Sequence, residues 1–443
     1  MKILFVENRY KTYLWERISQ EYLQLGHEVH FIIQNHEFTT QNSNFKVHKI
    51  AYPFKNKFDL NPEEIQRYKK VIQSNRGLNY FGIKHNSFIA YYGDEIHKII
   101  DKVKPDLAFG ESTLFHELLV IEACRNKNIL YLHPSSSRYP KNRFSFYKYD
   151  TLEPFKGSGE VLPQDEAIKL ANTVGKRKAL PDYMTVSRES PNKKQLFLDK
   201  VNLIKGYYSG EKYNTPSPLH KFFLGRKFAK IIESYELKAN DRLPENKGLK
   251  IMYAMQMQPE ANIDVWGYPN NNQSKVIERM IFSLGEEDII IIKPNPKSKY
   301  EIDDSLLRLI DNNPRKVYAL SHKIGMNLIW DEIDVVITVT GTVSIECILN
   351  NKPILMFGWG LQTKQKNCIQ IKNEKDISLI LSIIRDNSFP KLTEKEQGEF
   401  INELIATSYK GINGDGLHNL HYINDNENLD NLKSAYLDVL KHL

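Results

Sequence analysis

The sequence is short of several features that would each settle a class. It has no run of about 18 apolar residues, so no transmembrane helix is expected. The opening MKILFVENRY carries a brief apolar run that ends at Glu7, which reads as a first strand and not as a signal peptide. Only three cysteines occur, Cys124, Cys347 and Cys368, far apart and without a CxxC pair. They argue against a disulfide framework or a zinc site and for a reducing cytoplasm. Glycine-rich phosphate loops are also missing. Nothing matches an RNA- or DNA-reading motif and the aromatics are dispersed, so nucleic acid is not expected as a partner despite a net charge of +7.

What is present is the makeup of a multidomain globular protein. The 443 residues allow two or three domains, with 41% hydrophobic and 26% charged residues. A strand at Lys2 to Val6, a helix to Leu25 stopped by Gly26, and a strand at Val29 to Ile33 open a βαβ pattern. It resumes with a helix to Val103, a strand at Asp106 to Phe109, a helix at Leu114 to Lys127 and a strand at Ile129 to Leu132. Residues 151–245 break the pattern. They read as a mainly helical insertion and linker, rich in lysine, whose charges either form a solvated face or meet an anionic membrane surface or lipid-linked acceptor. A second α/β pattern fills 246–415, and a helix within 416–443 is expected to pack back on the first domain, residues 1–150. The fold class is therefore α/β, two Rossmann-like domains facing a central cleft with a helical insertion, which is the GT-B plan.

Three loops in the second half follow strand ends, where open α/β sheets bind ligands. The first contains Gln258 and Glu260. The second is Lys293-Pro294-Asn295-Pro296, where Lys293 supplies a cation and Asn295 a donor, held by prolines that limit ordering entropy. The third is Thr340-Gly341-Thr342 with Ser344 and Glu346, at a helix N-terminus suited to a phosphate; an ordinary N-cap is the plain alternative. In the first half, Glu111 follows a strand end and either serves as a base or nucleophile or caps the next helix. His116 is either a second polar group there or structural. Arg138 and Arg143 either grip a carboxylate or phosphate or are surface charges.

The segments FGESTLFHE, SRYPKNRFSFY, QPEANIDVWG, KPNP and TVTGTVSIECILNNKPILMFG resemble the bacterial capsule polysaccharide biosynthesis glycosyltransferases. These are GT-B enzymes related to transferases of 3-deoxy-manno-octulosonic acid (Kdo) and of nonulosonic acids such as pseudaminic or sialic acid. The resemblance covers roughly 106–150 and 248–360. It implies a CMP-activated 2-keto sugar acid as donor, no metal or other cofactor, and a surface glycan or lipid-linked acceptor. It also implies a cytoplasmic location with peripheral contact at the inner membrane. By it, Lys293 to Pro296 corresponds to a Lys-Pro-His-Pro phosphate motif, with Asn295 in place of the His. Thr340, Thr342 and Ser344 form a second phosphate loop, Glu346 holds the ribose, and Glu111 and Glu260 fall at catalytic positions. The rival readings are a GT-B enzyme using a UDP- or GDP-sugar, including a UDP-sugar 2-epimerase, and a non-catalytic nucleotide-sugar-binding protein.

Overall fold

The computed structural model describes residues 1–53, 59–179, 181 and 193–443. The chain begins with β1 (Lys2–Val6), α1 (Lys11–Gln24), β2 (Glu28–Ile33), β3 (Lys46–Lys49), α2 (Phe88–Val103), β4 (Leu107–Phe109), α3 (Phe115–Asn126), β5 (Leu130–Ser136) and β6 (Arg143–Lys148). Helices α4 (Gln164–Gly175), α5 (Lys193–Ser209) and α6 (Pro218–Glu236) follow. Next come β7 (Lys250–Ala254), α7 (Gln273–Ile281), β8 (Ile289–Lys293), α8 (Asp304–Asn312), β9 (Val317–Ala319), β10 (Val335–Thr338) and α9 (Val343–Asn350). The chain closes with β11 (Ile354–Met356), β12 (Cys368–Gln370), α10 (Asp376–Arg385), α11 (Glu394–Ala406), β13 (Tyr409–Lys410) and α12 (Asn426–Leu440).

These elements form two compact units, each built on its own sheet. The first comprises Met1–Val161, Pro181–Lys221 and Glu403–Leu443; the second comprises Leu162–Leu180 and Phe222–Asn402. The region 151–245 is thus divided between the units: α4 belongs to the second and α5 to the first. Residues 180 and 182–192 of it lie outside the described residues.

The second unit holds a fully parallel six-stranded sheet in the order β12-β11-β10-β7-β8-β9. The chain winds outward from β7 through β8 and β9, then returns to place β10 on the other side of β7. This is a doubly wound Rossmann-like order with its switch point between β7 and β10. Strand β8 is four isoleucines and a lysine, all buried, as expected of a strand covered on both faces. Ile290, Ile292, Ile251, Tyr253, Val335 and Ile337 form the centre of the core. Each such side chain contributes about 1.5–3 kcal/mol on burial.

The first unit has the order β13-β6-β5-β4-β1-β2-β3, parallel from β5 through β3, with a switch point between β1 and β4. Gly26 has φ +79°, the left-handed residue that ends α1 and turns the chain into β2. Helix α12 packs its buried face, Leu429, Leu432, Ala435, Tyr436 and Val439, into the core with Phe5, Trp15, Tyr22 and Phe109. Tyr22 donates its hydroxyl to the Tyr436 carbonyl at 2.6 Å, which fastens α1 to α12.

Beyond β5 the sheet turns antiparallel. RFSFYK alternates, with Phe144 and Phe146 buried, so β6 pairs against β5 and accepts β13 on its other edge. This places Arg143 inside the protein. Its Nε donates to Ser408 Oγ (2.8 Å) and its Nη1 to Glu160 (2.8 Å). Its Nη2 donates to Ser158 Oγ and to the carbonyls of Ile405 and Ser408. The expectation that Arg143 binds sugar or acceptor is corrected: its guanidinium is spent joining β6 to the C-terminal segment. Replacing Arg143 by Ala should destabilise the first unit by about 3 kcal/mol, because buried acceptors lose their donor. Denaturant unfolding checks this; an unchanged midpoint would contradict it.

Candidate functional site

At the switch point of the second unit the loops after β7, β8 and β10 meet at one sheet edge. Gln256, just past β7, reaches across to β10. Its Oε1 accepts from the Thr340 amide (2.8 Å) and from Thr338 Oγ1 (3.4 Å), while its Nε2 donates to Thr340 Oγ1 (3.0 Å). Thr340 in turn donates its hydroxyl to the Asn262 carbonyl. Gly341 is required here, since a Cβ would overlap the Thr338 hydroxyl. Among the described residues no partner takes the amide hydrogens of Gly341, Thr342 and Val343, at the start of α9. Those donors, reinforced by the helix dipole, are what a phosphate oxygen needs.

Several expected ligand groups hold the loops instead. Gln258 is buried: its amide donates to Glu301 (3.1 Å), its Nε2 to Asp264 (2.7 Å) and to the Asn271 carbonyl (3.1 Å), and its Oε1 accepts from Gln273 (3.2 Å). Its expected role toward sugar or acceptor is corrected to that of a brace. The Ser344 hydroxyl donates to the Gly341 carbonyl at 2.8 Å and is fully buried, and the Thr340 side chain is committed to Gln256 and Asn262, so both shape the turn from inside. Glu346 is buried and one of its oxygens is held by Arg177, whose guanidinium lies 4.9 Å from the centre of the Trp330 ring. Any contact of Glu346 with a ribose therefore works against, or through, this pair. Glu260 is half-buried at the head of a short helical turn and makes no capping bond to it.

Lys293 ends β8 at the same edge. It is 4% exposed, and its Nζ donates to the Pro294 carbonyl at 3.1 Å. Among the described residues no carboxylate lies within ion-pair distance of it. Burial lowers its pKa from 10.5 to about 8, with Glu236 opposing weakly. Asn295 accepts the Lys297 amide on Oδ1 (2.8 Å), and its Nδ2 has no partner among the described residues. Behind this loop, buried Glu301 accepts from the amides of Gln258 and Lys299, and burial raises its pKa.

In the first unit the same geometry recurs between β1 and β4, with different chemistry. Glu111 is half-buried and paired with Lys11. Burial raises its pKa and Lys11 opposes the rise. Gly110 precedes it because a Cβ would overlap the Tyr131 hydroxyl, which donates to the Glu111 carbonyl at 2.6 Å. Asn8 bonds Glu117 (2.7 Å) and Thr113 (3.3 Å) across the switch point. Glu117, and not Glu111, caps α3: its carboxylate accepts from the amides of Thr113 and Leu114. Glu7 is fully buried, accepts from the amides of Arg9 (2.6 Å) and Asn35 (2.9 Å), and has its pKa raised by burial against the pull of His116.

His116 is also fully buried. Its Nε2 donates to the Glu7 carbonyl (2.9 Å) and its Nδ1 accepts from Asn214 (3.1 Å), so its expected contact with sugar or acceptor is corrected to a structural role. Arg138 sits half-buried past β5 with φ +69°, its amide donating to Ser136 Oγ at 3.3 Å.

Sequence reasoning missed Lys11, Glu7, Asn8 and Glu117 in the first unit and Gln256, Gln273 and Glu301 in the second. Glu7 and Asn8 directly follow β1, a strand-end position that marked Glu111 and applied equally to them. Among the described residues no group of three His, Cys, Asp or Glu side chains is arranged to hold a metal ion.

No protein-family model and no curated protein sequence matches the chain. Solved structures do. The chain is similar to KpsC, a beta Kdo 2,7 transferase, from Thermosulfurimonas dismutans, at 10% identity over 98% of this chain and 100% of that one, with a TM-score of 0.38. It is similar to the UDP-GlcNAc 2-epimerase of Methanocaldococcus jannaschii, at 12% identity over 91% and 98%, TM-score 0.27. MurG of Acinetobacter baumannii matches at 10% identity over 92% and 96%, TM-score 0.25.

The pKa of Lys293 sets a signed expectation. Its folded value is below its unfolded one, so the unfolded chain holds more protons between about pH 8 and 10.5, and stability rises with pH across that window. Below pH 8 the full cost of burying the charge is present. Lys293→Met should therefore stabilise the second unit by about 1–3 kcal/mol at pH 7. The gain should shrink as pH rises through 8 and above. Thermal unfolding at pH 7 and pH 9.5 checks both parts.

Proposed function

We propose that the protein is a glycosyltransferase that moves a 2-keto sugar acid from a CMP-activated donor to a surface glycan or lipid-linked acceptor, without a metal ion. The observation that carries the reading is Lys293, a buried cation without a carboxylate partner among the described residues, one strand from the switch point of a Rossmann-like sheet. A buried charge of that kind is costly until an anion joins it. The amides at the start of α9 belong to the same edge. One lysine and one helix N-terminus suit a single phosphate better than a diphosphate, which supports a nucleoside monophosphate as leaving group.

In the reaction, the bond between the anomeric carbon and the phosphate oxygen breaks and CMP departs with the electron pair. The acceptor oxygen bonds to that carbon and yields its proton to a carboxylate. Lys293, Asn295 and the α9 amides stabilise charge growing on CMP; removal of one such donor typically costs about 3 kcal/mol of barrier. Glu111 is the carboxylate proposed to take the proton, since a raised pKa brings a base nearer its working range. Arg138 is proposed to hold the sugar carboxylate, and Glu260 to contact donor or acceptor.

Calorimetric titration with CMP and UDP, without added metal, tests the reading. CMP should bind at micromolar concentration, more tightly than UDP, and Lys293→Met should weaken it at least tenfold. Preference for UDP, or a requirement for magnesium, would overturn it in favour of a UDP-sugar enzyme.

A further inference from the structure

One stretch of this protein carries a positive excess as large as that of the whole chain. Residues 193–230 contain nine lysines and arginines against two acidic residues, an excess of seven, which equals the net charge of the whole 443-residue chain. The charges of the remainder sum to zero, so this segment accounts for the net charge of the chain.

Helix α5 displays that charge around an apolar stripe. Phe197, Val201, Ile204 and Tyr208 follow at spacings of four, three and four, one face of a helix, and are 66, 42, 45 and 72% exposed. On the helical wheel Lys193 and Lys200 lie along one side of the stripe and Lys194 and Lys205 along the other, all exposed, and the exposed Leu196 and Leu198 lie beyond them. The opposite face holds the helix to its own unit: Gly206 is buried, and Asp199 accepts from the Tyr10 hydroxyl at 2.8 Å. Lys205 also meets Glu37 at 3.0 Å. The stripe is therefore an outward face and not a core face displaced. Helix α6 repeats the composition, with Leu219, Phe222 and Phe223 exposed at 71, 54 and 63% beside Lys221 and Arg226.

We infer that the outer face of α5 docks the protein on an anionic lipid bilayer. An interfacial helix needs apolar side chains to enter the acyl boundary and lysines beside them to meet headgroup phosphates, and the exposed face of α5 supplies both. A solvated helix would not expose four large apolar residues in line, and an apolar protein partner would not call for lysines along both margins. The inference stands on α5 alone and is independent of the donor or reaction proposed above.

Co-sedimentation of the full chain with vesicles of phosphatidylcholine, with and without 30% phosphatidylglycerol, tests it. Binding to the phosphatidylglycerol vesicles should exceed binding to neutral ones by about tenfold or more and fall with added salt. Phe197→Glu with Tyr208→Glu should abolish it, and Lys194→Gln with Lys200→Gln should lower it by about fivefold per lysine. All four positions are exposed, and an unchanged thermal midpoint verifies that each variant folds. Equal binding to both vesicles, no binding to either, or binding unaffected by the variants would overturn the inference. So would a dimer, seen by sedimentation velocity, that the Phe197/Tyr208 variant disperses, since a second copy would then be what covers the stripe.

Discussion

An ammonium group taken out of water with no carboxylate in ion-pair contact is among the more expensive things a fold can hold, and among the described residues Lys293 is in that position. The second unit is organised so that it cannot escape. Four buried isoleucines fix β8 between β7 and β9, and the lysine that ends it is carried to the strand edge with them. Pro294 and Pro296 restrict the backbone beyond, and Glu301, Gln258 and Gln273 brace the neighbouring loop through bonds among themselves. The arrangement costs stability that the proposed anion would offset.

The two units use one architectural device for opposite electrostatic ends. In each, the chain reverses direction across a strand pair, β1/β4 or β7/β10, and polar side chains bridge the gap at the carboxyl ends. In the second unit the bridge is neutral, Gln256 to Thr340, and leaves amide hydrogens and a cation at the edge. In the first it is acidic: Glu7 is buried, Glu117 is spent on the α3 amides, and Glu111 is left half-buried against Lys11. A unit that presents donors and a cation is suited to an anion. One that presents a carboxylate of raised pKa is suited to a proton.

Much of this was legible in the sequence because strand and helix periodicities are local. The isoleucine run, the VVITVTGTVSIECILNNKPILMF unit and Gly26 each announced their elements, and strand-end logic picked out Glu111, Lys293 and the turn at Gly341. What was not legible depends on partners distant in the chain. Nothing near Arg143 in sequence says that Ser408 and Ile405 will close on it, and nothing near Glu346 announces Arg177. His116 and Gln258 looked like ligands for the same reason: a polar side chain at a strand end or helix start has the right address whether it faces outward or braces the loop behind. The alternation in RFSFYK was a signal for β6 that the proline and basic residues around it obscured.

The most direct test is the pKa of Lys293 itself, followed by NMR of the lysine side chain with and without CMP. The account predicts a value near 8 in the free protein, rising toward the ordinary 10.5 when CMP is bound, as the phosphate supplies the missing anion. A value already ordinary in the free protein, or one that CMP leaves unmoved while binding elsewhere, would contradict it.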